Sequence, residues 1–177
     1  MKLVWTGTGV GLGIGVAALA ALGSWTYFVG SRHISVADVR AQYEKEAVWL
    51  DEGKHAEICA AFDDTYVGRV ASVSSAGQVL EETNKAASCA ALVAFFGSMK
   101  NLNDKVGGGV VTSSNTRLQK IVISPDKLTA TVTVRSEVKV GTEKKLIMTM
   151  TSDGTDTLIK RDGKVLRLRA EGKTSTQ

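Results

Sequence analysis

Few residues in this chain combine the types and spacings that carry out chemistry. The only histidines, His33 and His55, lie too far apart to form a ligand pair on one helix, and no HExxH or CxxC spacing occurs. None of the many serines and threonines stands in a nucleophile-elbow motif. The glycines at 107–109 lack the lysine and hydroxyl residue of a phosphate-binding loop. We therefore expect no metal, no cofactor and a role other than catalysis.

The two cysteines allow one covalent link. Cys59 and Cys89 lie beside the apolar stripes of two predicted helices that should be neighbours. In an oxidising compartment an even pair of this kind is typical of a disulfide. The alternative is a pair of buried small side chains, because free cysteine is commonly interior. A disulfide requires the two Cα atoms to lie within about 7 Å of each other.

The amino-terminal segment 1–31 indicates where the rest of the chain acts. It carries one formal charge, at Lys2, and residues 3–31 carry none. This run is longer than the roughly 20 apolar residues that cross a bilayer. We expect a single transmembrane anchor whose amino terminus is cytoplasmic, as the positive-inside tendency predicts from Lys2. The following domain would then lie on the exported side, periplasmic or extracellular.

A cleaved signal peptide is the alternative interpretation of the same run. The tripeptide ALA at 18–20 would serve as its cleavage site. Retention is favoured by interfacial aromatic residues at both ends of the run, Trp5 at one end and Trp25 with Tyr27 at the other. These ends lie roughly 30 Å apart on a helix that rises 1.5 Å per residue, and a cleaved signal has no use for the second pair.

Glycines inside the run repeat every fourth residue in two overlapping series. Small residues at this spacing share one helix face and let a second backbone approach closely. The alternative is that glycine is simply common in membrane helices. The candidate residues for packing of the membrane helix are Gly7, Gly11 and Gly15, with Gly9 and Gly13.

The region from 32 to 170 has the size of one domain with its own core. The chain carries a net charge of +4, of which Lys2 supplies one unit. The basic residues alternate with acidic ones and form no stripe, which argues against nucleic-acid binding. The polar residues 171–177 are predicted to form a disordered tail.

Helical signals dominate the first half of this domain. Ser35, followed three residues later by Asp38, is typical of a capping box and predicts a helix over 36–50. Apolar spacing predicts two more helices, with a strand or a loop between them. The predicted segments are helices at 54–63 and about 78–102 and the strand or loop at 65–73.

The second half alternates with the period of a β-strand. Between 128 and 140 the even-numbered residues are mainly apolar and the odd-numbered ones polar, so one face should be packed. Further strands are predicted at 117–123, 144–151, 155–160 and 164–170, with turns at 124–127, 152–154 and 161–163. The sequence therefore predicts an α+β domain of three helices packed on a curved antiparallel sheet.

Several stretches resemble a known family. The stretch WLDEGK at 49–54, running into ICAAFDDTYV at 58–67, resembles the opening of NTF2-like (SnoaL-like, cystatin-like) domains. The stretches ISPDKLTATV at 123–132 and KRDGKV at 160–165 are similar to the strand pair and last hairpin of that family. The resemblance covers residues 36–170. It implies a conical cavity between helices and sheet, which holds a small ligand in some relatives and is filled or used for docking in others.

This resemblance suggests where a ligand could bind. Tyr66, Asp63 and Asp64 would lie at the rim of the implied cavity, and we take them as candidate ligand-binding residues. The alternative is that the two aspartates end a helix in solvent and that Tyr66 anchors a strand. Because a fold does not assign chemistry, we favour the second, structural interpretation.

The sequence favours a binding role at a membrane. One span followed by an exported NTF2-like domain is also similar to VirB8-like components of type IV secretion systems. We therefore predict a membrane-tethered envelope protein that binds a protein partner or a second copy, as a subunit of a secretion, conjugation or other membrane complex. The alternatives are a carrier of a small apolar ligand, favoured by an open apolar cavity, and an isomerase or dehydratase, favoured by an Asp/Tyr pair inside that cavity. A filled cavity with an exposed apolar patch would favour the partner role.

Overall fold

A computed structural model describes residues 30–74, 77–142 and 145–176 of the 177-residue chain. The five glycines proposed for membrane-helix packing, and nearly all of the expected anchor, lie outside these ranges. Within them, no helix is both long enough and apolar enough to cross a membrane.

The described chain folds into three helices and one six-stranded sheet. The sheet order is β2-β1-β6-β5-β4-β3, and every neighbouring pair is antiparallel except β1 and β6, which are parallel. The predicted α+β class is confirmed. The helices are α1 (Val36–Asp51), α2 (His55–Ala60) and α3 (Lys85–Lys105), and the strands are β1 (Phe62–Ser74), β2 (Gly77–Asn84), β3 (Val111–Ile123), β4 (Thr129–Thr142), β5 (Lys145–Arg161) and β6 (Lys164–Thr176).

Helix α1 begins as its sequence predicts. The Ser35 hydroxyl accepts a hydrogen bond from the backbone N–H of Asp38 at 3.2 Å, and the Asp38 carboxylate accepts one from the N–H of Ser35 at 2.9 Å. This reciprocal capping box satisfies two backbone donors that the first helical turn leaves free. The buried face of α1 then packs on β4, β5 and β6 in one core cluster. Its buried members are Ile34, Val39, Tyr43, Ala130, Val132, Leu158 and Val165.

The third helix starts later than the sequence predicts. Residues 78–84, expected to be helical, instead form β2, which pairs with β1 along its whole length. The side chain of Asn84 accepts a hydrogen bond from the N–H of Ala87 at 3.0 Å and caps α3. The prediction of a helix here was wrong because β2 is an exposed edge strand, with no apolar alternation to reveal it. Two strands therefore precede α3, and the ambiguous segment 65–73 is part of β1.

The turn predicted at 152–154 does not exist, and β5 runs through it as one strand of 17 residues. Gly154 lies opposite Gly172 on β6. A Cβ atom on Gly154 would lie 2.6 Å from the carbonyl oxygen of Glu171, and one on Gly172 would lie 2.6 Å from that of Asp153. The glycine that suggests a turn is thus required by the close approach of two strands.

Residues 171–176 also differ from the expected disordered tail. They extend β6 and pair with β5 on one side and β1 on the other. Polar side chains do not indicate disorder in this segment, because the backbone of a central strand is held by hydrogen bonds to both neighbouring strands.

Helix α2 and the start of β1 form a second, smaller cluster, on which α3 packs. Ile58, Phe62 and Tyr66 are its buried members, and the Phe62 and Tyr66 rings stack with centroids 4.5 Å apart. The structure joins Cys59 on α2 to Cys89 on α3 by a disulfide, with Cα atoms 5.5 Å apart. This bond ties α3 to the rest of the domain.

Candidate functional site

An open cavity of about 390 Å³ lies between the inner face of the sheet and the helices. Its wall is mainly apolar, which suits the body of a small organic ligand. The apolar side chains that line it are Ala47, Leu50, Ile58, Phe62, Val70, Leu92, Val134, Val138, Met150 and Ala170.

Four polar side chains converge at the deep end of this cavity, and we call them the charged cluster. The Arg167 guanidinium donates from Nη2 to Oε2 of Glu46 at 2.6 Å and from Nε to Oδ2 of Asp156 at 3.0 Å. The Tyr43 hydroxyl donates to the same Asp156 oxygen at 2.5 Å. The side chains of Glu46, Asp156 and Arg167 are only 10–14% exposed.

Three secondary-structure elements position the charged cluster. Tyr43 and Glu46 are three residues apart on α1 and so share the face that covers the sheet. Asp156 on β5 and Arg167 on β6 belong to neighbouring strands. The guanidinium carbon of Arg167 also lies 5.6 Å from the centre of the Tyr43 ring and 5.7 Å from that of Phe62, within the range of cation–π attraction.

The environment of the cluster fixes the protonation of two of its groups. Burial raises the pKa of Tyr43, and the neighbouring Asp156 carboxylate raises it further. Burial alone would lower the pKa of Arg167, but the carboxylates of Asp156 and Glu46 outweigh it and raise that pKa. Tyr43 is therefore a neutral donor and Arg167 a permanent cation. The two carboxylates of the cluster share this one guanidinium.

The structure separates the three candidate ligand-binding residues. Tyr66 lines the cavity, and burial raises its pKa. Asp63 does not line it: its carboxylate is buried, accepts two hydrogen bonds from Thr65 at 3.0 and 2.6 Å and pairs with Arg161 at 2.8 Å. Asp64 is exposed and pairs with Lys85 at 2.8 Å.

Sequence reasoning missed the charged cluster, because its members are brought together from distant parts of the chain. The Glu46–Arg167 contact spans 121 residues. One local signal was present: Asp156 and the buried Leu158 have the same parity on β5, so a carboxylate stands at an inward position of the alternation. No group of three or more His, Cys, Asp or Glu side chains that could hold a metal occurs in the described ranges.

A second cavity of about 380 Å³ lies on the other side of α1. It is more polar and is lined by Ala41 and Lys45 of α1 and by Val165 and Leu166 of β6, among others. It contains no member of the charged cluster and provides a matched control site for the experiments below.

Comparison with known proteins identifies the fold. No protein-family model matches this sequence, nor does any curated protein sequence. Among solved structures, a scytalone dehydratase-like protein from Novosphingobium aromaticivorans matches with a TM-score of 0.55 at 17% identity, over 80% of this chain and 85% of that one.

Two further structures extend this comparison. A ketosteroid isomerase-like protein from Erwinia carotovora atroseptica matches with a TM-score of 0.52 at 12% identity, over 80% of this chain and 95% of that one. The beta subunit of the benzoate 1,2-dioxygenase from Burkholderia mallei matches with a TM-score of 0.55 at 12% identity, over 80% and 91%. The described domain therefore has the NTF2-like fold that its sequence resembles. At these identities the likeness concerns the fold and not the activity.

Proposed function

We propose that this protein binds a small, largely apolar molecule in the cavity between its helices and its sheet. The observation that carries the proposal is an open volume of about 390 Å³ with a mainly apolar wall and a few convergent polar groups at its deep end. This combination is typical of small-molecule sites, where the wall supplies affinity and the polar groups supply orientation. It also meets the criterion that favours a ligand carrier over a filled docking domain.

Binding is favoured over turnover by the state of the charged cluster. In the part of the chain that the structure describes, Asp156 pairs with Tyr43 inside the cavity, which is the kind of pair that would favour an isomerase or dehydratase. Its Oδ2 atom already accepts hydrogen bonds from both Tyr43 and Arg167. This carboxylate oxygen is therefore already occupied by two donors and is not available to accept a proton from a substrate. Deuterium exchange into cyclohexenone tests this choice. When the protein is incubated with cyclohexenone in D₂O, we expect exchange at the α-carbon to be no faster than in buffer alone. Exchange faster than in buffer that is abolished by Asp156→Asn would instead favour an enzyme.

The binding proposal is tested by closing the cavity. Isothermal titration calorimetry of the full chain with 1-naphthol should show one site, because this probe is apolar and carries one hydrogen-bond donor. Ala47 lines the cavity from α1, so Ala47→Phe should abolish binding. Ala41 is exposed on the opposite side of the same helix, so Ala41→Phe should leave binding unchanged.

The two variants make the same substitution on the same helix, and both are measured in the same lipid or detergent. Far-ultraviolet circular dichroism should show that both are folded. Unchanged binding by Ala47→Phe would contradict the proposal, and loss of binding in Ala41→Phe would assign the probe to the second cavity instead.

A second candidate function is the docking of a protein partner by a membrane-tethered chain, in a layout similar to VirB8-like components. It is supported by the apolar run at 3–31 and by exposed apolar residues near the sheet edge: Leu80 is 73% exposed and Val79 58% on β2, and Val93 is 52% exposed on α3. Leu80→Asp should reduce chemical cross-links to neighbouring proteins in native membranes. Unchanged cross-links would remove this edge from the candidate surface.

The tether itself has a direct test. If residues 1–31 are a retained anchor, intact-mass measurement of protein extracted from membranes should give the full-length chain. A mature form that begins near Ala21 would identify the segment as a cleaved signal peptide.

A further inference from the structure

Four hydroxyl side chains lie in a row across the inner face of the sheet. Thr116 on β3 is the register partner of Ser136 on β4, which pairs with Ser152 on β5, which pairs with Thr174 on β6. All four line the cavity and are half-buried. Because adjacent strands lie about 4.8 Å apart, the row extends about 14 Å across the sheet. We call these four residues the hydroxyl row.

The hydroxyl row retains capacity to bind a ligand. The Thr116 and Ser136 hydroxyls are 3.2 Å apart, and the Ser152 and Thr174 hydroxyls are 2.9 Å apart, so the row consists of two hydrogen-bonded pairs. A hydroxyl has one hydrogen to donate and two lone pairs. Each pair therefore uses one of its two hydrogens and keeps one donor, together with acceptor lone pairs, for a third group.

The hydroxyl row interrupts an apolar part of the cavity wall. On β4, the cavity-lining neighbours two residues before and after Ser136 are Val134 and Val138. A half-buried hydroxyl beside apolar side chains is favourable only when its hydrogen-bonding capacity is used. A polar group of a bound molecule would use the capacity that the internal pairs leave over.

The hydroxyl row and the charged cluster form two polar ends of one cavity. Ser152 and Asp156 are four residues apart on β5 and share a face, which separates them by about 13 Å along the strand. Between them lie Gly154 and Gly172, which line the cavity and contribute no side chain. The floor between the two polar ends is therefore open.

Building on the proposed ligand-binding function, we propose that the hydroxyl row is a second polar subsite and that the ligand is elongated, with an apolar middle and a polar group at each end. The end that meets the charged cluster is a hydrogen-bond donor or a cation, because two carboxylates there face one guanidinium. The end that meets the hydroxyl row is a hydroxyl or carbonyl group, which can accept from and donate to the paired hydroxyls.

Decane-1,10-diol and decan-1-ol test the second subsite, since they differ only in the second hydroxyl and the extended diol matches the separation of the two ends. Calorimetry with the full chain should show tighter binding of the diol, by roughly three- to tenfold for one additional hydrogen bond. Thr174→Val and Ser152→Ala should remove this preference, so that each variant binds the two alcohols with nearly equal affinity.

Thr131→Val is the matched control, because it removes a hydroxyl from the exposed outer face of β4. It should keep the preference for the diol. A preference that survives both Thr174→Val and Ser152→Ala would overturn the second subsite, as would equal binding of the two alcohols by the unaltered chain.

A second set of compounds tests the end of the ligand that meets the charged cluster. With the far hydroxyl kept constant, 10-aminodecan-1-ol should bind more tightly than the diol, and 10-hydroxydecanoic acid more weakly. The reverse order would overturn the assignment of a donor or cation to the charged cluster.

The outcomes separate this inference from the proposed function. If neither alcohol binds, or if Ala47→Phe binds both as well as the unaltered chain does, the proposed cavity function fails. If decan-1-ol binds, Ala47→Phe abolishes that binding, and the diol has no advantage, the cavity function stands and only the two-ended ligand is wrong.

Discussion

The two long helices of this domain are held in contrasting ways. Helix α1 buries Val39 and Tyr43 against the sheet and adds ion pairs from Asp38 to Lys160 and from Glu46 to Arg167. Helix α3 is longer, at 21 residues, yet none of them is buried. Its attachment includes partly buried contacts, the Asp64–Lys85 pair and the Cys59–Cys89 disulfide.

This contrast indicates that the two sides of the cavity have different structural roles. The side formed by α1 and the sheet contains the main core cluster and all four members of the charged cluster. The side formed by α3 contributes Leu92 to the cavity wall. We infer that α1 and the sheet set the geometry of the site and that α3 covers it, held by partly buried contacts and one covalent link.

The largest effect should come from the core beneath α1. Val132 is fully buried there, so Val132→Asp introduces an unpaired buried charge and should cost more than about 4 kcal/mol of unfolding free energy. Urea denaturation followed by circular dichroism should show no cooperative transition. Thr131→Asp, on the exposed outer face, should cost far less; equal damage from the two would mean that the face assignment is wrong.

Removing the cation of the charged cluster should have the next largest effect. Arg167→Met keeps much of the side-chain volume but leaves the Glu46 and Asp156 carboxylates buried without their partner, at a cost of about 3–5 kcal/mol. Urea denaturation at pH 7 would measure it. A loss no larger than that of an exposed ion pair, about 1 kcal/mol or less, would contradict this account of the cluster.

The disulfide should matter less for overall stability and most for α3. It closes a loop of 30 residues, and replacing both cysteines with serine should cost about 2–4 kcal/mol. Hydrogen exchange measured by mass spectrometry should speed up in α3 and stay unchanged in α1. Equal acceleration in both helices would remove the distinction between the two sides.

The smallest effect concerns Asp63, near the start of β1. Burial raises the pKa of its carboxyl, but the Thr65 hydrogen bonds and the Arg161 cation outweigh burial and lower it. A lowered folded-state pKa gives stability that is present above the unfolded value, near 3.9, and is lost as pH falls through the folded value. Asp63→Asn should therefore cost about 1–2 kcal/mol at pH 7 and progressively less below pH 4. A cost that does not change with pH would contradict the ionic role of this group.

The sequence predicts the parts of this fold that depend on near neighbours. The capping box of Ser35 and Asp38 lies within four residues, and the apolar–polar alternation around Val132 lies within one strand. Both could therefore be predicted from the sequence. Edge strand β2 could not be predicted, because its pairing with β1 is exposed and its glutamates favour a helix over a strand. Gly154 was misread as part of a turn because its reason lies on the neighbouring strand.

The candidate site was even harder to predict from the sequence. Its charged cluster requires α1 to lie over β5 and β6, and its hydroxyl row requires the register of four strands. Both are properties of the assembled sheet. Tyr66 could be proposed because it lies within the stretch at 58–67 that resembles the family. Asp156 and Arg167 are separated from it by about half the chain.

The central claim is that the inner cavity is the small-molecule site, and locating a bound probe tests it most directly. In isotope-filtered NMR spectra of the full chain with bound 1-naphthol, the account predicts nuclear Overhauser effects from the naphthyl protons to the methyl groups of Leu50, Leu92 and Val134, which line that cavity. Contacts to Val165 and Leu166, which line the second cavity, would contradict it.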